Sequence, residues 1–256
     1  MDGQSTRAMF RSQSGDRVIV PHSLRAAMLD RVHYAHIGMN SCLSRAKECI
    51  YWPSMDAEIR EYVSRCSTCR NFDVKQPKES LISHTFPLRP WAKVETVIFP
   101  FQHYEYLMTV DNYSSFVEVD CLKKATSKEV IKCLKRHFSR YGIPDIVVND
   151  NGPQYLSQEF AEFSRNWSFQ HTVTSPYYSQ SNGKVEGSIK TVKKIMKKAA
   201  ATGSDPWLWL LDYRNTPTEG LQSSPVQRRI GRRTKTRLPT TTSLLRPEIH
   251  DESGSY

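Results

Sequence analysis

The chain has 256 residues, 36 Lys and Arg against 26 Asp and Glu, a formal net charge of +10 and six cysteines. That length has room for one sizeable domain plus a small one, and the charge points to an anionic partner. No apolar run approaches the ~18 residues of a membrane-spanning helix, the first residues lack a signal-peptide core, and the cysteines are too few for a disulfide scaffold, so no membrane partner and an intracellular, reducing setting are expected.

Residues 1–16 are polar and aperiodic and read as a disordered lead-in. Arg17 to Pro21 reads as a short strand stopped by proline, and Ser23 as the cap of a helix that turns Leu24, Ala27, Met28 and Val32 inward. His33 and His36 follow on that helix, three apart and so on one face. After 29 further residues comes Cys66-Ser67-Thr68-Cys69. Two His followed by a Cys-x-x-Cys turn match a tetrahedral zinc site of His33, His36, Cys66 and Cys69. A redox Cys-x-x-Cys is the competing reading, but no thioredoxin-like βαβ pattern surrounds it. Cys42 and Cys49 lie seven apart on a helical pattern with Leu43 and Ala46 and read as small core residues. A segment of this size, 17–75, cannot build a sufficient core alone, so zinc would fix its fold around Trp52.

Residues 76–90 read as a proline-extended linker. The second domain starts near Trp91. Tyr106 to Asp111 and Phe116 to Asp120 read as strands joined by the polar turn Asn112 to Ser115. Thr126 and Glu129 form a capping box for a helix that buries Val130, Ile131, Leu134 and Phe138 and ends at Tyr141-Gly142-Ile143-Pro144. Ile146-Val147-Val148 reads as a buried strand, and Asn151-Gly152-Pro153 turns the chain after it. Asp150 therefore sits at a strand's carboxyl end, where open α/β sheets place ligands. A helix over 157–166 and a strand over 169–173 follow. From Gly183 the period changes: Val185, Ile189, Val192, Met196 and Ala199 form one helix stripe, and Glu186, Lys190, Lys193 and Lys197 a second beside it. Asp205-Pro206 restarts a helix that stops near Asn215-Thr216-Pro217. This order is that of a mixed α/β domain over 91–230. Residues 231–256 read as a basic and polar tail.

Asp150 and Glu186 have 35 residues between them. Singly, they are a strand-end acid and a Glu that complements a helix dipole. Jointly, a carboxylate pair beside a lysine face suits hard metal ions and a phosphate backbone. The runs from Val148 to Tyr155 and from Ser175 to Gly183 resemble the D,D-35-E integrases of retroviruses and LTR retrotransposons, the gypsy class in particular. His36-Ile37-Gly38, Ile50-Tyr51-Trp52-Pro53 and Tyr62-Val63 are similar to that class's zinc-binding N-terminal domain. The resemblance covers nearly the whole chain. It implies an RNase H-like core behind a small zinc-stabilised helical domain, with magnesium or manganese at Asp150 and Glu186. It also implies DNA as partner, met by Lys184, Lys190, Lys193, Lys194 and Lys197, self-association, and a nuclear location.

The family's remaining acid is an aspartate a few residues after a Trp-x-Lys-Val text. Here that text is Trp91-Ala92-Lys93-Val94, and the matching position by residue count is Val97, which offers no oxygen to a cation. Glu95 lies on the same strand face but about 6.6 Å back by strand rise, and Asp111, at the end of the next strand, is expected to serve its turn. Three functions follow from these residues. One is an integrase-like DNA-binding protein impaired in catalysis. The others are an active polynucleotidyl transferase with a substitute carboxylate, and a non-enzymatic DNA-binding or assembly module.

Overall fold

A computed structural model describes residues 17–72, 87–173, 183–218, 220–221 and 223–247, without the side chains of 183–186. The expected lead-in, most of the expected linker and the run Ser175 to Asn182 lie outside the described residues. The chain divides into two compact units, Met1–Lys75 with Lys194–Tyr256, and Gln76–Lys193.

In the first unit, β1 (Val18–Ile19) pairs in parallel with β2 (Ile50–Tyr51). Helices α1 (Arg25–His33), α2 (Met39–Cys49), α3 (Met55–Ser64) and α4 (Ser67–Phe72) surround this pair in sequence. Ser23 does not cap α1. It sits inside a 3-10 turn, His22–Leu24, which Pro21 starts by accepting from the Leu24 N–H at 3.0 Å. Leu24 takes the cap position with no side-chain bond. Ala27 faces solvent, and Leu29 packs on the core in its place beside Leu24, Met28 and Val32. Trp52 is 1% exposed at the centre of that core, with Cys42 and Cys49 buried alongside it as expected.

Further elements are α7 (Gly183–Thr202), α8 (Pro206–Arg214), α9 (Pro225–Ile230) and α10 (Thr242–Leu245). The division between the units falls within α7. Asp205 caps α8 by accepting from the Trp207 N–H at 2.8 Å, and Ser224 with Gln227 makes a full capping box on α9. Residues 231–247 do more than trail as a tail. Leu238 is 2% exposed within the core of the first unit, and the buried Arg233 pairs with Glu48. Their alternation of Arg, Lys and Thr hid this, since only one large apolar residue inserts.

The second unit holds β3 (Lys93–Phe101), β4 (Tyr104–Asp111), β5 (Val117–Leu122), α5 (Ser127–Tyr141), β6 (Ile146–Asn149), α6 (Gln158–Asn166) and β7 (Gln170–Val173). The sheet order is β5-β4-β3-β6-β7, antiparallel across the first three strands and parallel from β3 to β7. This is the mixed α/β layout expected from the sequence. One face of the sheet carries Val94, Leu107, Leu122 and Val147 into a core with Val130, Leu134 and Phe138 of α5 and Phe160 and Phe163 of α6. Thr126 caps α5 through the Glu129 N–H, and Gly142, at φ 88°, ends it where any side chain would be strained.

Candidate functional site

The four zinc candidates come together. One ligand atom from each of His33, His36, Cys66 and Cys69 lies within 4.8 Å of all the others. Their placement differs from the sequence expectation in one respect. The two histidines do not share a helix face, because α1 stops at His33 and His36 turns into the left-handed region at φ 46°. The rings still meet edge to face, with centroids 4.4 Å apart. Cys66 precedes α4 and Cys69 lies buried within it.

Cys66 Sγ is 3.3 Å from His36 Nδ1, and Cys69 Sγ is 3.6 Å from both His36 Nδ1 and His33 Nε2. Zinc bonds of about 2.3 Å to sulfur and about 2.0 Å to nitrogen put the two atoms about 3.5 Å apart along a tetrahedron edge. The donor set therefore fits zinc, and it names His36 Nδ1 and His33 Nε2 as the facing nitrogens. The other nitrogen of His33, Nδ1, faces Cys42 Sγ at 3.7 Å. Burial first, then the charge of His36 on His33 and of Lys198 on both, lowers the two imidazoles to a pKa of about 4, so both are neutral ligands near pH 7.

The acidic positions lie in the second unit. Thr96 of β3 pairs with Asn149 of β6, so the next residues, Val97 within β3 and Asp150 just past the end of β6, stand level. Val94 and Ile98 face the α5 core, which puts Val97 on the opposite face with Glu95 and Phe99. Val97 is half-buried and Asp150 exposed. Asp150 Oδ1 accepts from the Gly152 N–H at 3.1 Å, and a side chain at Gly152 would come within 3.0 Å of that oxygen. Glu95 is 4% exposed and accepts from Asn112 Nδ2 at 2.8 Å. Asp111 is fully buried and accepts from the backbone N–H of Trp91 at 3.0 Å, of Tyr113 at 3.1 Å and of Ser114 at 3.3 Å. It closes the turn, as the sequence suggested. The Glu186 and Lys184 side chains lie outside the described residues, although both residues are in α7.

On α7, Lys190 and Lys197 are exposed, and Lys193 and Lys194 half-buried. Lys193 holds its ammonium 5.1 Å from the ring centroid of Phe99. Lys198 is 2% exposed and donates from Nζ to the His36 carbonyl at 2.7 Å. Sequence reading passed over Lys198 and Trp209. The available signal was a lysine beside Ala199, on the apolar side of a helix. Among the described residues no helix is long and apolar enough to cross a membrane.

A tetrahedral His and Cys cluster in one unit and a five-stranded mixed sheet with an acid at a strand end in the other define an integrase-type fold. The Integrase zinc binding domain profile matches residues 20–75, and the Integrase core domain profile residues 92–179. An uncharacterized protein of Caenorhabditis elegans is 30% identical over 239 residues, covering 91% of this chain and 18% of that protein. The Pro-Pol polyprotein of feline foamy virus is 27% identical over 242 residues, covering 89% of this chain and 21% of the polyprotein. A chain of the simian T-cell lymphotropic virus intasome superposes with a TM-score of 0.60 at 20% identity, over 81% of this chain and 74% of that one. The chain thus carries an integrase zinc-binding domain followed by an integrase core domain. It spans about a fifth of the length of the two curated relatives described.

Proposed function

We propose that this chain is an integrase-like DNA-binding protein of the DNA-integration class, impaired in catalysis at its acidic site. The strand register carries this reading. It sets Val97 level with Asp150, while the nearest alternative acids, Glu95 and Asp111, are buried and engaged elsewhere. Two-metal phosphoryl transfer uses cations roughly 3.5–4 Å apart that clamp the attacking and leaving oxygens. A valine at that position supplies no oxygen to bridge them. Asp150 and Glu186 alone would hold at most a single magnesium or manganese, too weakly to saturate, and not the pair.

The zinc domain fits a structural role, with a full set of protein ligands and no open coordination position. Lys184, Lys190, Lys193, Lys194 and Lys197 are the proposed phosphate contacts, with Lys193 shared between DNA and the Phe99 ring. The similar chain comes from an intasome, which supports self-association on DNA, and a DNA partner supports a nuclear location.

End-processing and strand-transfer assays on short duplexes with magnesium or manganese test the reading. The chain as it stands should give no product, and Val97→Asp should restore it. Product from the unmodified chain that disappears in Asp150→Asn would show that another carboxylate has taken over. Binding to unrelated duplexes should weaken log-linearly with salt. Replacing Lys190, Lys193 and Lys197 with Gln should lower the slope by about 0.9 for each phosphate that is no longer neutralised.

A further inference from the structure

We infer that the β3–β4 hairpin is a stacking platform for the bases of single-stranded DNA, on the same sheet face as Val97. The inference rests on the DNA-binding reading above and names the form of DNA that this face takes.

The first observation is a run of aromatic side chains on one face. Strand pairing sets Phe99 opposite Tyr106 and Phe101 opposite Tyr104. Val94, Ile98 and Leu107 face the α5 core, so alternation turns all four rings to the other side, with Val97. Phe99 follows Val97 on that side by about 6.6 Å of strand rise. Phe99 and Tyr106 stack with centroids 5.8 Å apart and planes 20° apart, and Phe101 meets Tyr106 at 6.3 Å. Phe99 is buried, Phe101 and Tyr106 are half-buried, and Tyr104 is 57% exposed. The rings thus step from the buried sheet out to the hairpin tip, and the outermost is open to solvent.

The second observation is the charge around the rings. Lys193 of α7 holds its ammonium 5.1 Å from the Phe99 centroid on one flank. On the other, β5 pairs Leu122 with Glu105 and ends there, which brings the exposed Lys123 level with Tyr104, and the exposed Lys124 follows. Glu105, the acid nearest the tip, alternates to the α5 face. Aromatic rings flanked by cations suit a single strand, because every base has a π-face to stack while the backbone phosphates meet the lysines. A duplex keeps those π-faces stacked on one another. A protein partner fits less well, since three rings of at most about 250 Å² each fall short of the ~800 Å² that a stable partner covers.

The test measures binding of the whole chain to a short oligo-dT strand and to a duplex of the same length, each over a range of salt. Tyr104→Ala should weaken oligo-dT binding by about 5- to 100-fold, the usual loss for one stacked base, and leave both the salt slope and the duplex affinity unchanged. Tyr104→Phe, which keeps the ring, should retain most of the affinity. Lys123→Gln with Lys124→Gln should instead lower the oligo-dT slope by about 0.7 for each phosphate that is no longer neutralised. Tyr104 is mostly exposed, so its loss spares the fold. Photo-crosslinking of an iodouracil-labelled strand to the unmodified chain gives an independent arm and should mark Phe101 or Tyr104. Unchanged oligo-dT affinity in Tyr104→Ala, equal losses on strand and duplex, or crosslinks confined to other residues would overturn the inference. Tighter binding of oligo-U than of oligo-dT would make RNA the occupant and overturn the assignment to DNA. A chain that binds neither strand nor duplex would refute the DNA-binding reading itself, a distinguishable result.

Discussion

His33, His36, Cys66 and Cys69 converge around a helix end and a Cys-x-x-Cys turn with every donor in place. Val97, Asp150 and Glu186 occupy a strand, a strand end and a helix start, and the first has no donor atom. The difference follows from what each group does for the fold around it. The stretch from Tyr34 to Gly38 has no regular structure to hold His36. On the proposed reading, losing one ligand there should remove the fold with the metal. The second unit is held by the aromatic and aliphatic core of α5, α6 and the sheet, in which Phe163 and Phe169 each contact the rings of Phe138 and Phe160 and of one another. Its stability does not pass through the acidic positions, and a β-branched residue suits a strand better than an unpaired carboxylate does. On the proposed reading, a catalytic ligand can be lost there without loss of structure, whereas a structural one in the first unit cannot.

The largest expected effect breaks the stronger side of this comparison. Cys69→Ser should abolish zinc binding and unfold residues 17–72, since zinc contributes on the order of 10 kcal/mol to small domains of this kind. Far-UV circular dichroism would show the lost helicity, and a near-native spectrum in the variant would contradict a zinc-dependent core. Arg45→Met should come next. It removes the ion-pair partner of the buried Asp212, leaving only the charge of Arg237 to offset that burial, and should destabilise the first unit by about 3–5 kcal/mol in urea unfolding. Replacing both partners by apolar residues should recover most of that loss.

Much of this was legible beforehand, and for identifiable reasons. The zinc ligands were readable because two short-range pairs carry the information, Cys66 with Cys69 and His33 with His36. The geometry of His36 was not, because a three-residue spacing says helix unless the chain stops, and α1 stops at His33. The strand carrying Val97 was expected only through the family resemblance, by residue count from Trp91; β3 spans that position and pairs Thr96 with Asn149. Leu238, Lys198 and Arg233 were not readable, since long-range burial of a lone apolar residue or a basic side chain leaves no periodic trace. Arg233 shows the cost of such placement: burial, with Arg45 nearby, lowers its pKa to about 10.

A smaller effect concerns the second unit's own electrostatics. Burial alone would raise the Asp120 carboxyl. The hydrogen bond and charge of His137, with Arg136 and Arg140, outweigh this and hold it below the usual carboxylate range. His137 Nε2 lies 2.6 Å from Asp120 Oδ2. A depressed folded-state value means stability that is present above the unfolded pKa, about 3.9. That stability is lost as pH falls through the folded value. The unit should therefore weaken below about pH 4, and His137→Gln should flatten that decline. An unchanged acid limb in the variant would mean that the pair contributes nothing.

The contrast between a complete and an incomplete ligand set is tested most directly by titrating manganese into the zinc-loaded chain and following it by calorimetry. The unmodified chain should hold one zinc and show no saturable manganese binding, and Val97→Asp should gain saturable binding that Asp150→Asn removes. Saturable manganese binding by the unmodified chain, lost in Asp150→Asn, would contradict the account.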